Sequence, residues 1–416
     1  MKFVIEKNSK SSGRLGQLVQ RATKKQFETP LLMQTTKGGS IPYISREVFD
    51  YLTKNKQMLQ MSLATMDHMA ESLSLYTGSL ASYVGFKDYP TMLTIRDPCE
   101  TMPSGMNNKD IVPLFTRRGR AQVTAEKYMD LVETFLPDIY QGLSDVDTNL
   151  KSSNKRVQKS VDRTEMFMNY CYKRHRNSAL FKNAALFAPI VGGYNTFARS
   201  QSIRHSKSDP DFEFSGYLLE GFHNYGLSVT KINSEKLFEV MKHCLSEMDA
   251  NKPIMMLGAY TPLVILELIK LGVDMFDSSY AYCAAKNFKA LVFNFDLQDQ
   301  SVKRSRSPFL DIKAEKLKDD FTPLVNSCIC LACQKHTRAY VHHLYKTKEL
   351  LCPILLMIHN LHHYMSFFYS IRSSIANDNL PELLNLIKFQ SIIKGEEDEE
   401  QEEVDYHIEE HKNVIK

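Results

Sequence analysis

The run Cys328-Ile-Cys330-Leu-Ala-Cys333 constrains this chain more than any other feature, because three thiols so close together have few stable arrangements. A zinc ion takes a tetrahedral shell of thiolate and imidazole, and a C-x-C-x-x-C turn lets three sulfurs converge while a distant histidine closes the fourth position. The run opens into His336-Thr-Arg-Ala-Tyr-Val-His-His-Leu344, and His359 follows. A closed shell implies one structural zinc per chain. The competing arrangements are three unrelated buried cysteines, or a disulfide with a spectator thiol, although a C-x-C bridge is strained.

The remaining cysteines, Cys99, Cys171, Cys244, Cys283 and Cys352, are scattered without a pairing rhythm, which predicts a reducing compartment. The opening Met-Lys-Phe-Val-Ile-Glu-Lys breaks into charge too early for an export signal, and the longest apolar stretch, 350–358, is too short to span a bilayer. With 416 residues, 43% of them hydrophobic, the chain can bury a barrel-sized core and carry an appendage.

Charge is unevenly distributed. Residues 396–410 hold ten acidic side chains and no Lys or Arg, so elsewhere 52 basic residues face 38 acidic ones, a net of +14. A basic body suits a polyanion such as nucleic acid, with patches at Thr116-Arg-Arg-Gly-Arg120, at 151–163 and at Lys303-Arg-Ser-Arg306; a solvated basic surface is the plainer explanation. Within the first patch, Arg117, Arg118 and Arg120 are the candidate RNA contacts. The acidic tail has too few apolar residues to offset the entropy of ordering, which predicts disorder.

Short apolar runs at 31–33, 60–64, 91–95, 186–191, 216–219, 253–258 and 289–295 alternate with helical patterns, a βα rhythm. The clearest unit is Pro253-Ile-Met-Met-Leu-Gly258, a helix over 261–271, and Gly272-Val-Asp-Met-Phe-Asp277 with a carboxylate at the strand end. No Gly-x-Gly-x-x-Gly follows the first strand, so an irregular (β/α)8 barrel is expected in place of a dinucleotide-binding fold. The expected organisation is a barrel body over 1–325, a zinc-binding subdomain with closing helices over 326–390, inserted late in the barrel, and the acidic tail over 391–416. Helices are predicted over 339–351 and 354–375, and a polar loop over 298–308.

The cysteine run and His359, with Thr337-Arg-Ala-Tyr-Val-His-His-Leu344 and the pair His359-Asn360, resemble the zinc signature of the tRNA-guanine transglycosylases. Asn183-Ala-Ala-Leu-Phe187, Lys252-Pro253, Leu257-Gly258 and Gly272-Val-Asp-Met-Phe-Asp277 follow in that family's order, so the resemblance spans most of residues 15–380. It implies an irregular (β/α)8 barrel and the ligand set Cys328, Cys330, Cys333 and His359; only this spacing prefers His359 over His342, His343, His362 and His363. Members exchange a guanine of the tRNA anticodon loop for a modified base or its precursor. One aspartate attacks the ribose and a second acts as base, so that covalent catalysis divides one hard displacement into two easier steps.

The reacting positions depart from that pattern. Where catalytic members carry Asp-Ser-Gly-Gly-Phe-Gln, this chain has Thr94-Ile-Arg-Asp-Pro-Cys-Glu100, which offers Asp97 without the glycines that let backbone approach a planar base. Leu219-Glu-Gly-Phe-His223 stands where a Gly-Gly pair lines the base pocket. Asp277 occupies the nucleophile position but continues as Ser278-Ser-Tyr-Ala-Tyr-Cys283, with no arginine to orient it.

These departures, with Lys159-Ser-Val-Asp-Arg163 and Asp145, are similar to the non-catalytic branch of the family. That resemblance implies no catalytic residues here, a heterodimer with the catalytic subunit of queuine tRNA-ribosyltransferase, and a joint product, queuosine, at the wobble position of tRNAs with GUN anticodons. It also implies a cytoplasmic protein, with peripheral association with the mitochondrial outer membrane. The alternative is an active base-exchange enzyme with an altered pocket, using Asp277 as nucleophile and Asp97 as base. Asp277 as a capped strand end, Asp97 as the start of a turn, and Gly192-Gly193 as ordinary loop glycines are the structural readings of the same residues.

Overall fold

The computed structural model describes residues 1–9, 13–20, 23–209, 212–298 and 307–391. Eight short parallel strands close into a barrel: β1 (Leu31–Thr35), β2 (Leu59–Ser62), β3 (Thr91–Thr94), β4 (Ile139–Gln141), β5 (Ala185–Ile190), β6 (Gly216–Leu219), β7 (Ile254–Met255) and β8 (Met275–Asp277). They pair in chain order, and β8 returns to β1 with Met275 opposite Leu31. The expected (β/α)8 barrel is therefore present.

Strand residues alternate between two cores, as a period of two requires. Met33, Met92, Ile139, Phe187, Leu218, Met255 and Met275 fill the interior, while Leu32, Leu93, Tyr140, Leu186, Tyr217 and Phe276 face the helices. Gly216 has no side chain for a packing reason: a Cβ there would lie 2.6 Å from the Phe187 ring. An antiparallel sheet of Lys2–Ser9, Gly13–Val19 and Gln26–Thr29 contributes Leu18 and Phe27 to the interior core, joined by Met1 just ahead of its first strand.

The outer helices are α1 (Ala125–Phe135), α2 (Asn154–Asn177), α3 (Thr196–His205), α4 (Ser234–Glu247), α5 (Pro262–Leu271) and α6 (Ser279–Lys286). α5 shows how local chemistry sets its limits: Pro262 occupies the first turn and Gly272, at φ +111°, ends the helix in a left-handed cap. Beyond β8 and α6 come the cysteine run, α7 (Arg338–Lys346), α8 (Leu351–Ala376) and α9 (Leu380–Ser391). Both helices predicted after the cysteines are thus found as α7 and α8. α8 lies back on the barrel, with Phe368 edge-on to Phe276 of β8 at 6.0 Å and Asn360 donating to the Ala281 carbonyl of α6.

One expected strand is misplaced. Within the run 289–295, Lys289–Leu291 forms a ribbon with Phe309–Asp311 outside the barrel, and the strand that completes the eight is β4, three residues long and lying between β3 and β5. The acidic tail, the patch Lys303-Arg-Ser-Arg306 and most of the loop 298–308 lie outside the described residues. Among the described residues, no helix is long and apolar enough to cross a membrane.

Candidate metal centre and barrel mouth

Cys330 caps the short helix Leu331–Lys335, and its sulfur accepts a hydrogen bond from the Cys333 amide at 3.4 Å, which folds the two thiols onto one side. α8 brings in the imidazole a little over two turns from its start. His359 Nδ1 lies 3.7 Å from the Cys328 sulfur, 3.6 Å from Cys330 and 3.3 Å from Cys333, and all four ligand atoms fall within 4.8 Å of one another. A tetrahedron built on zinc–sulfur bonds of about 2.3 Å and zinc–nitrogen bonds of about 2.0 Å has edges of roughly 3.5–3.8 Å, so the donors stand close to such a shell.

The outer contacts agree with this geometry. His359 Nε2 donates to the Leu291 carbonyl at 2.8 Å, which places the proton on that nitrogen and leaves Nδ1 free to ligate. Burial alone would lower the His359 pKa; the Cys328 and Cys333 thiols more than offset it and hold it at about 9. The same crowding drives Cys328 below and Cys330 above the usual thiol range, so an entering metal displaces protons from the cluster.

The competing histidines fall elsewhere. His342 and His363 bond to the carbonyls of Ile312 and Phe293, and His343 points to solvent. His362 reaches one sulfur, that of Cys328, at 3.6 Å and stays at the edge of the cluster.

At the opposite chemical extreme is the C-terminal mouth of the barrel, where enzymes of this fold keep their reacting groups. Glu220 is 4% exposed and accepts from Gln141 Nε2 at 3.1 Å, Ser144 Oγ at 2.9 Å and the Tyr225 hydroxyl at 2.8 Å. Arg96 crosses the same region, donating to the Ser144 carbonyl at 2.8 Å. The pair Arg96 and Glu220 therefore occupies the mouth with side chains bonded to protein.

Asp277 is also committed. Its oxygens accept from the backbone amides of Gly258 at 2.6 Å and Ser279 at 2.7 Å, while burial raises its pKa against the pull of those bonds. Asp97 accepts from the Cys99 amide and pairs with Lys37 at 2.9 Å, a turn held by an ion pair. Gly192 and Gly193 serve close packing of α3: a Cβ on Gly192 would come within 2.8 Å of the Arg199 backbone nitrogen, and Arg199 Nε donates to the Gly193 carbonyl.

His223 completes the mouth and sets a pH dependence. Its Nδ1 accepts from the Tyr225 amide at 3.1 Å, so the proton sits on Nε2 facing the Tyr260 hydroxyl at 2.8 Å, and burial lowers its pKa from 6.5 to about 4. The unfolded chain takes up this proton first as pH falls. Stability from this group is full above pH 6.5 and is lost progressively towards pH 4, on the order of 2 kcal/mol by pH 5. Thermal melts at pH 7.5 and pH 5 should show a larger acid-induced drop for the native chain than for His223→Gln.

The basic patches resolve differently. Arg117, Arg118 and Arg120 stand exposed on a hairpin of Val112–Thr116 and Gly119–Val123. In the second patch, Arg156 and Arg163 both bind the buried Asp145, the latter at 3.0 Å, so they hold α2 to the barrel, whereas Lys151, Lys155 and Lys159 remain exposed. The polar network around Glu220 and the His223–Tyr260 pair lay beyond sequence reasoning; the glutamate in the Leu219–His223 stretch was its one visible sign.

An eight-stranded parallel barrel with a Cys3His cluster beyond its last strand defines the class of the tRNA-guanine transglycosylases. Residues 9–390 match the family model for queuine tRNA-ribosyltransferase, and the chain belongs to that family. It is 55% identical over 416 residues to a Drosophila virilis protein named queuine tRNA-ribosyltransferase accessory subunit 2, covering all of this chain and 97% of that one. Proteins of the same name from Drosophila mojavensis and Drosophila melanogaster are 55% and 54% identical, each covering 94% of this chain and 93% of their own length.

Proposed function

We propose that this chain is the non-catalytic subunit of a heterodimeric queuine tRNA-ribosyltransferase, placing tRNA for a catalytic partner that exchanges guanine for queuine at the wobble position of tRNAs with GUN anticodons. The observation that carries this reading is Glu220: a buried carboxylate bonded to three protein donors stands where a base-exchanging barrel needs open, glycine-lined space. The accessory-subunit name of the relatives supports the same role. The cysteines are free thiols, which suits work in the cytoplasm.

The metal is proposed to be zinc, one per chain, held by Cys328, Cys330, Cys333 and His359 in a subdomain over 326–390. Three thiolates and one imidazole leave no open position, so the ion shapes a surface and takes no part in chemistry. Phe321, Ile329 and Leu350 are each more than two-thirds exposed around this cluster, and they are proposed to face the catalytic subunit. Ile329→Asp should weaken association about tenfold or more while metal content stays unchanged, read by sedimentation or titration calorimetry with the catalytic subunit.

The deciding experiment is reconstitution with the catalytic subunit and tRNA. Asp277→Asn in this chain should leave guanine exchange within about twofold of the native heterodimer, and the chain alone should form no covalent tRNA adduct. Loss of turnover with assembly and tRNA affinity intact would instead make Asp277 a nucleophile. Neutralising Arg117, Arg118 and Arg120 together should weaken tRNA binding most at low salt and flatten its salt dependence, by up to about 0.7–0.9 in log–log slope for each phosphate that these arginines neutralise.

A further inference from the structure

Beside the mouth, the loop that follows β1, the start of α6 and the tip of the 112–123 hairpin enclose an open groove of about 430 Å³ lined by Lys37, Ile41, Pro42, Tyr43, Arg117 and Tyr282. Its floor is aromatic. Tyr282 is 7% exposed, and Tyr43 stacks over it with ring centroids 5.9 Å apart and planes inclined by 29°. Tyr43 itself is 39% exposed and sits at φ +61°, a conformation that side chains other than glycine adopt where their surroundings impose it.

The charges along the groove are ordered. At the inner end, the Lys37 ammonium lies 5.0 Å from the Tyr282 ring centre and is neutralised by Asp97 and Glu100, the latter also bound by Lys286. At the outer end, Arg117 is exposed and makes no ion pair among the described residues, with Arg118 and Arg120 on the same hairpin. A cationic peptide entering here meets Arg117, and the carboxylates at the inner end are already paired with Lys37 and Lys286. A ligand with a flat apolar face and an anion a few ångströms away meets a free ring and a free guanidinium.

We infer that this groove is a binding site for one unpaired nucleotide of RNA, its base stacked on the outer face of Tyr43 and its phosphate held by Arg117. The inference rests on the reading of the chain as a tRNA-placing subunit and names the side chains that do the placing. One base is the capacity of the site, because the inner face of Tyr43 and the Tyr282 ring are already covered by each other and by Lys37. Stacking on a phenol is tolerant of base identity, so the site grips a single-stranded stretch without reading its sequence. At the inner end Lys37 and Lys286 are matched by Asp97 and Glu100, so the unpaired charge at the outer end sets the polarity: base inward, backbone outward.

The test uses the full chain assembled with its catalytic partner, full-length tRNA, and a short single-stranded oligoribonucleotide carrying 2-aminopurine. Fluorescence should be quenched on binding. Tyr43→Leu should abolish the quench and weaken oligonucleotide binding about tenfold, the effect of removing one stacked base, while Tyr43→Phe keeps both. Arg117→Gln, an exposed change that leaves folding alone, should weaken binding and reduce the log–log salt slope by about 0.7. Native affinity and quench in both Tyr43→Leu and Arg117→Gln, or displacement of the oligonucleotide by a lysine-rich peptide that occupies the groove, would overturn the site. If those variants bind normally while the native heterodimer still needs this chain to hold tRNA, the site falls and the placing role stands; if tRNA affinity of the catalytic subunit is the same with and without this chain, the role falls as well.

Discussion

Cys330→Ala should strip the purified chain of its metal, from one ion per chain towards none by elemental analysis, and loosen the polypeptide from Cys328 through α8. Cys330 supplies one sulfur of the cluster and also caps the helix that carries Cys333, so the substitution removes a ligand and misplaces a second. Structural zinc contributes an apparent binding free energy of about 10–16 kcal/mol in isolated zinc modules, comparable with the entire stability of a domain, about 5–15 kcal/mol. Amide hydrogen exchange should rise first in the segments joined by His359 and Leu291, then along α7. A chelator should reproduce the effect on the native chain. Retained metal with unchanged exchange would show that the cluster does not hold this region together.

Glu220→Leu is expected to destabilise the chain by roughly 3–5 kcal/mol, because Gln141, Ser144 and Tyr225 would each be deprived of a buried acceptor at about 1–3 kcal/mol apiece. The direction separates two kinds of barrel mouth. Reacting carboxylates are held at some expense of stability, so their removal commonly leaves a protein equally or more stable. A carboxylate that satisfies three donors is structural, and its removal lowers the urea midpoint. An unchanged or higher midpoint would return Glu220 to the candidates for chemistry.

The barrel was legible because its strands are apolar runs bounded by turns and separated by helical patterns, and because Pro262 and Gly272 mark both ends of α5 in plain sight. β4 escaped because only Ile139 and Tyr140 are apolar between Asp138 and Gln141, too short a run to stand out from its polar flanks. The run 289–295 was assigned to the barrel because alternating apolar residues look alike whether they pair with a strand or a helix. Its carbonyls at Lys289, Leu291, Phe293 and Phe295 are met by Asn360, His359, His363 and Ser370, all on α8, some seventy residues downstream. The N-terminal sheet went unread because one face of its first strand is half-exposed along its whole length.

The site divides the same way. Cys328, Cys330 and Cys333 declare themselves by spacing, since a short turn fixes their separation whatever surrounds them. Choosing His359 among five histidines needed the family's spacing, because the carbonyl acceptors that occupy His342 and His363 come from distant segments. Arg156 and Arg163 looked like phosphate contacts because Asp145, which binds both, is separated from them by a loop and the turn into α2.

The closure of β8 onto β1 also has a consequence in time. Leu31 finds its partner in Met275, 244 residues later, and a ribosome adding roughly 5–20 residues each second takes about 12–50 s to cover that distance. Throughout that interval the open edge of β1 and the methionine-lined interior have no lid of their own. The nascent chain therefore passes through a long stage in which an unpaired parallel strand is on offer to any neighbour, and that stage ends when the last strand emerges and covers the edge.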